Sequence, residues 1–257
     1  MFTGGSLVAV RRNWLDGILG KFALHERVRC VLKLATAAAL VAAAYLGSSE
    51  MARRYSTRYL KAAALSESSN VAYAATQCAK AVALDPNNGR AHYELGFIDE
   101  KLGRGDDAIR EYRTAQDMDP SLLEAYSDLA HALILYKKDY VGAIKVLDNG
   151  LRNSGLIWKL NKSTFAAVQR NYGWAMIQMG YAQAAVEHLQ ASRDAVPHQI
   201  GAYCLLGQAL EQLKDPGAKA AFLKCKEGND CRKQHPELWE DKPEPDWILE
   251  AEKHVPH

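Results

Sequence analysis

The stretch Asn88–Pro120, NGRAHYELGFIDEKLGRGDDAIREYRTAQDMDP, decides how the rest of the chain is read. Leu95 and Gly96, then Ala108, Tyr112 and Ala115, place small and apolar residues at the three-to-four-residue spacing of an amphipathic helix. Gly103 falls between the two runs, where a tight turn is needed. Asp119-Pro120 closes the second run, because proline cannot continue a helical ladder and restrains the residue before it. The stretch therefore predicts two short antiparallel helices.

The same offsets recur on both sides of it. Pro86 to Pro120, Ala74 to Ala108 and Gly173 to Gly207 are each 34 residues apart. Gly96 to Gly173, Gly103 to Gly180, Ala108 to Ala185 and Pro120 to Pro197 are each 77 apart, two such periods with nine residues added. A fixed period of this length marks a stacked helical array. Small residues at the eighth position (Gly96, Ala130, Gly173, Gly207) and alanines at the twentieth (Ala108, Ala143, Ala185, Ala218) let two helices approach closely, and Leu95, Tyr112, Tyr126, Leu147, Leu189 and Phe222 fill the gaps.

On these residues the chain resembles the tetratricopeptide repeat family across residues 55–226. The resemblance implies an all-α, right-handed solenoid of antiparallel helix pairs, in four to five units near 55–87, 88–122, 123–157, 166–199 and 200–228. Departures are visible. His92 and Asp99 stand where aromatics are usual, and the third unit has one residue too many before Ala143 and no closing proline. An insertion at 153–163 holds Trp158, and the first unit has Arg58 and Lys61 at core offsets.

The resemblance also implies a concave face lined by the second, fifth, ninth, twelfth and thirteenth positions of each first helix. Carried over, these give a candidate partner-binding groove of Arg90, Tyr93, Phe97, His131, Ile134, Arg170, Trp174 and Gln208. The lysines and asparagines with which some co-chaperones hold a C-terminal carboxylate are absent from those positions, which disfavours a chaperone-tail adaptor. Exposed aromatics beside arginine suit a peptide or helix of a partner protein. The alternative is that the chain's own terminal segments cover part of this face.

Residues 1–33 carry six basic and two acidic side chains, leaving a near-neutral to acidic body with no basic face for nucleic acid. Leu34–Gly47 is the strongly apolar run. It is shorter than the roughly 20 residues that span a bilayer, but with Val31 and Leu32 added and Lys33 and Arg53 reaching outward, a transmembrane anchor over 30–51 is expected. Residues 1–29, with Leu7, Trp14, Leu15, Ile18 and Phe22 on one helical face, then read as a basic amphipathic segment on lipid. A cleaved signal or organellar presequence, with an A-x-A site at Ala42–Tyr45, and an alanine-rich helix packed on the repeats are the competing readings. The excess of basic residues before the run places the repeats outside the cytoplasm, in a bacterial inner membrane or, alternatively, an organellar one.

Residues 227–257 are acidic and proline-containing and read as a cap on the last repeat, with Trp239, Trp247, Ile248 and Leu249 as its apolar side, or as a free tail. Of five cysteines, Cys225 and Cys231 are expected to close a disulfide loop in an oxidising compartment. C-x5-C-x3-H, formed with His235, is a poor metal spacing, so no metal and no cofactor are expected. No phosphate-cradling loop, zinc-protease motif or nucleophile elbow is present, and the chain is read as a non-enzymatic scaffold. The function expected is a membrane-tethered protein-binding scaffold that assists assembly or secretion of an envelope complex. The runner-up is a permanent subunit of a large membrane complex.

Overall fold

The 34-residue period is set by helix pairs that pack on their neighbours in sequence. The computed structural model describes residues 47–67, 69–155, 161–234 and 244–255. It divides into two units, Met1–Tyr55 and Ser56–His257. In the first, residues 47–55 are helical, with Glu50 and Arg54 paired one turn apart. The remainder of the expected anchor, and the whole basic segment, lie outside the described residues. Among the described residues no helix is long and apolar enough to cross a membrane.

The second unit is all helical among its described residues. Helix α1 covers 56–66. It is followed by α2 (Val71–Leu84), α3 (Gly89–Lys101), α4 (Gly105–Met118), α5 (Leu123–Ala132) and α6 (Tyr140–Asn153). Then come α7 (Lys162–Gln178), α8 (Ala182–Ala195), α9 (Ile200–Gln212), α10 (Ala218–Gln234) and α11 (Pro245–His254). Each packs on the helix before and after it, and first helices of successive pairs (α3, α5, α7, α9) also touch one another. That nearest-neighbour pattern is the solenoid.

Local chemistry sets the helix ends. Asn70, Asn88, Asp139 and Asn161 accept hydrogen bonds from the free amides of α2, α3, α6 and α7. Gly103 and Gly180 take positive φ in the turns within their pairs, and Lys138 and Lys214 hold the same left-handed conformation in the third and fifth pairs. Close approach explains the eighth-position glycines: a β-carbon on Gly96 would lie 2.8 Å from the Tyr112 ring, and one on Gly207 2.5 Å from that of Phe222.

The nine added residues are absorbed in two places. Ala108 to Ala143 is 35 residues, one too many, and the extra residue is taken up by a π-helical turn, Leu133–Lys137, that ends α5. The other eight fall between Ala143 and Ala185, where α6 gives way to α7. Residues 156–160, with Trp158, lie outside the described set. Asn171 ties these pairs together: it is fully buried in α7 and donates to the Ser127 carbonyl of α5 at 2.9 Å.

The cores follow the pairs. A small cluster of Ala63, Ala74, Cys78 and Ile98 joins the first and second pairs, and a larger one runs from Ala108 to Ala251. Phe97 packs against both.

Candidate functional site

The first helices of successive pairs bring the groove residues onto one face, and α11 lies against that face. Arg90, Tyr93 and Phe97 stand on α3 one turn apart. The Arg90 guanidinium covers the Tyr93 ring at 4.9 Å, and Tyr93 and Phe97 are stacked with centroids 6.5 Å apart. Lys101 sits over Phe97 at 4.6 Å. The Tyr93 hydroxyl donates to Asp128 of α5 at 3.0 Å.

A polar network continues from there. Tyr112 donates to Glu100 Oε2 at 2.8 Å, while Glu100 Oε1 faces His131 Nδ1 at 2.8 Å. The other ring nitrogen of His131 reaches Glu244 Oε1 at 3.1 Å. Glu244 is the N-cap residue of α11, so His131 bridges α3 and α11. Burial works against its charge, but the hydrogen bonds its ring donates to the two carboxylates outweigh that and hold the imidazole up at about 9. Hydrogen bonding to His131 keeps the Glu244 carboxyl below its ordinary value, against its burial. Asp128 is pushed the other way, to about 6, by burial and by the nearby Glu100.

Trp174 departs from the expectation of an exposed aromatic. It is only 6% exposed, because Trp247 of α11 meets it edge-on at 4.9 Å and His131 flanks it at 5.5 Å. Trp247 rests in a notch over Gly201, where a β-carbon would come within 2.8 Å of the indole. Ala251, one turn on, is also buried. Further along, the His254 ring stacks on Phe222 at 4.6 Å, and its Nε2 lies 3.1 Å from Glu211 and 3.3 Å from Glu250. Ligand-type atoms of Glu211, Glu250 and His254 all fall within 4.8 Å of one another, a set able to take a divalent cation.

Ile134 is buried in the π-helical turn rather than presented to solvent. With Trp174, Ile177, Gln178, Gln208 and Trp247 it borders a cavity of about 390 Å³ beside α11. Arg170, on α7 beneath α11, carries its guanidinium toward the Asn171 carboxamide at 3.4 Å.

The expected Cys225–Cys231 bridge is corrected. Cys225 is bonded to Cys204, and Cys231 is free and exposed. Both members of the expected pair lie on α10, which continues to Gln234 instead of ending in a loop. Six helical residues separate two α-carbons by about 9 Å along the axis, beyond disulfide reach. Cys204 faces Cys225 across the fifth pair, with α-carbons 4.9 Å apart.

Sequence reasoning missed Asp128, Glu244 and the groove position of Trp247. The legible signal was Glu244-Pro245-Asp246: a residue before proline at the first helical position marks a helix start. Nothing in the spacing says where that helix docks.

The fold is of tetratricopeptide type. No protein-family model matches the chain. A crystal structure of the MamA protein is 23% identical, covering 70% of this chain and 95% of that one, with a TM-score of 0.53. TTC0263, a thermophilic TPR protein of Thermus thermophilus, is 18% identical over 77% of this chain and 98% of its own, with a TM-score of 0.57. YrrB, described as a TPR protein with an unusual peptide-binding site, is 17% identical over 76% and 90%, with a TM-score of 0.50. At these identities the likeness is one of fold. In sequence, a DnaJ homolog subfamily C member 7 homolog of Dictyostelium discoideum is 36% identical over 78 residues, 30% of this chain and 14% of that protein's length.

Proposed function

We propose that the chain is a non-enzymatic protein-binding scaffold, tethered to a membrane by residues 30–51, whose tetratricopeptide groove holds a segment of a partner polypeptide during assembly or secretion of an envelope complex. The observation that carries this reading is the Arg90–Tyr93–Phe97 strip on α3. These side chains are ordered by cation–π and ring contacts yet remain partly open to solvent. YrrB, with its peptide-binding site, gives the same kind of use to the same kind of fold.

Tethering rests on the uncharged run Leu34–Gly47 and the basic segment before it. The reading places the anchor in a bacterial inner membrane with the repeats periplasmic, or in an organellar membrane. Retention of the full chain in the pellet after alkaline carbonate extraction supports the anchor, and release into the supernatant refutes it.

Affinity capture from solubilised membranes tests the groove. Phe97→Ala combined with Arg90→Ala should reduce recovery of the native partner about tenfold or more, the loss expected of a hot-spot pair, without changing helicity. Unchanged recovery would refute the assignment of this strip.

A further inference from the structure

Three residues reach from this segment to the groove: Glu244 at the N-cap meets His131, Trp247 meets Trp174 and Gly201, and His254 meets Glu211; His254 also stacks on Phe222 of α10, and Ala251 is buried. Trp247, Ala251 and His254 follow an i, i+4, i+7 spacing, one face of a helix, with a carboxylate at the N-cap. The opposite face is open: Leu249 is 57% exposed. Among tetratricopeptide positions, His131 and Trp174 are ninth, Gly201 second and Glu211 twelfth, all on the concave side. The eighth and twentieth positions, which hold each helix pair together, make their contacts within the pair. α11 thus packs on α10, the helix before it, and also reaches across the face formed by α5, α7 and α9.

The fit is incomplete. A partly open cavity of about 390 Å³ lies between α11 (Asp246, Trp247, Glu250) and a mostly polar groove wall that includes Lys138, Gln178, Gln208 and Gln212 beside Ile134 and Ile177. A cavity beside an anchor residue is unfilled contact area, and a helix with bulkier side chains there would gain what α11 forgoes. A tethered occupant needs little intrinsic affinity, because attachment to the same chain gives it an effective concentration of about millimolar order.

We propose that α11 is a tethered pseudo-ligand: the groove's other occupant is a helix of a partner protein bearing a carboxylate at its N-cap and an indole three residues later, and α11 leaves when that helix enters. This rests on the scaffold reading above and adds the partner's chemistry and the competition. His131 receives the carboxylate and the Trp174–Gly201 notch receives the indole. Longer side chains than those of α11, with polar ends for Lys138, Gln178, Gln208 and Gln212, fill the cavity.

A fluorescein-labelled peptide of residues 242–255, KPEPDWILEAEKHV, is the probe. It is titrated in trans into the detergent-solubilised full chain and into Trp247→Ala and Glu244→Gln full-chain variants. Both variants should bind it at least about tenfold more tightly than the unaltered chain, since each raises the fraction of open groove. Peptides carrying Trp247→Ala or Glu244→Gln should bind each chain correspondingly less. Glu244→Gln leaves the indole contact in place, so it decides the matter if Trp247→Ala lowers helicity beyond the loss of α11. Equal affinity across the three chains, or binding indifferent to the peptide's Trp and Glu, overturns the proposal and makes α11 a fixed cap. A dimer of the unaltered chain that disappears in Trp247→Ala overturns it too, in favour of exchange of α11 between copies. Partner capture that depends on Phe97 while neither variant takes up peptide sinks the pseudo-ligand and keeps the scaffold. Peptide uptake with capture indifferent to Phe97 does the reverse.

Discussion

His131 carries its charge because two carboxylates from different helices face it, one on the solenoid and one on α11. A rise from 6.5 to about 9 corresponds to roughly 3 kcal/mol between its charge states, shared between Glu100 and Glu244. The folded value is raised, so this stabilisation is complete below the ordinary histidine range and is lost as pH climbs through 9. The Glu244 value is lowered, so its contribution is present above the ordinary glutamate range and is lost as pH falls through the folded value. Docking of α11 should therefore be firmest near pH 4.5–6.5, between the two ordinary values, and loosen on either side. Tryptophan emission from the Trp174–Trp247 contact should shift to the red as pH rises from 7 to 10. In His131→Gln the alkaline shift should vanish. Global stability has a further acid-side dependence, because Asp128, raised to about 6, favours the fold when protonated and loses that advantage as pH rises through 6.

Thiol reactivity is a second test at this scale. Burial, with nearby Glu94, Asp99 and Glu67, pushes the Cys78 thiol up to about 12, and Cys204 and Cys225 are joined. In a Cys30→Ser chain, maleimide should label Cys231 rapidly and Cys78 only on unfolding, with two further sites appearing when the unfolded chain is reduced.

Among the elements, the helix pairs were legible because packing between two helices imposes residue size at fixed offsets. Gly207 and Phe222 show this: a methyl at the glycine would press on the ring at 2.5 Å. Gly207→Ala should destabilise by about 1–3 kcal/mol despite the better helix propensity of alanine, measured by urea unfolding. Lys214 closes α9 at φ +57, a conformation glycine adopts without cost. Lys214→Gly should therefore raise stability by about 0.5–1 kcal/mol in the same assay. The extra residue in the third pair was visible as a count, but a count does not distinguish a longer loop from a π-helical turn. The disulfide was misread because the sequence shows two nearby cysteines and conceals that α10 runs through both. The groove was legible only as a set of positions. That Trp174 is covered and Tyr93 is tied to Asp128 depends on contacts between residues far apart in the chain.

For the molecule, a solenoid distributes its stability over neighbours, so the loss of one peripheral helix need not spread. Trp247→Ala should release α11 while leaving α3–α10 folded. Hydrogen exchange should then quicken in Pro245–His254 and stay slow at the α7 amides, around buried Asn171. Faster exchange throughout α7 and α9 would mean that α11 is a structural part of the array.

Gly201 has a consequence for how such a device is inherited and altered. The notch under the indole exists because one residue of α9 lacks a side chain. Glycine weakens a helix by about 1 kcal/mol relative to alanine, so mutation toward alanine is favoured by α9 taken alone. The same methyl would come within 2.8 Å of the Trp247 ring and force it out of its present seat. A single-codon change at this position thus drives two properties in opposite directions, a firmer solenoid and an emptied groove. A lineage that no longer required the tail in place would shed this glycine readily, and one that kept it would be accepting a weaker helix for the sake of a removable plug.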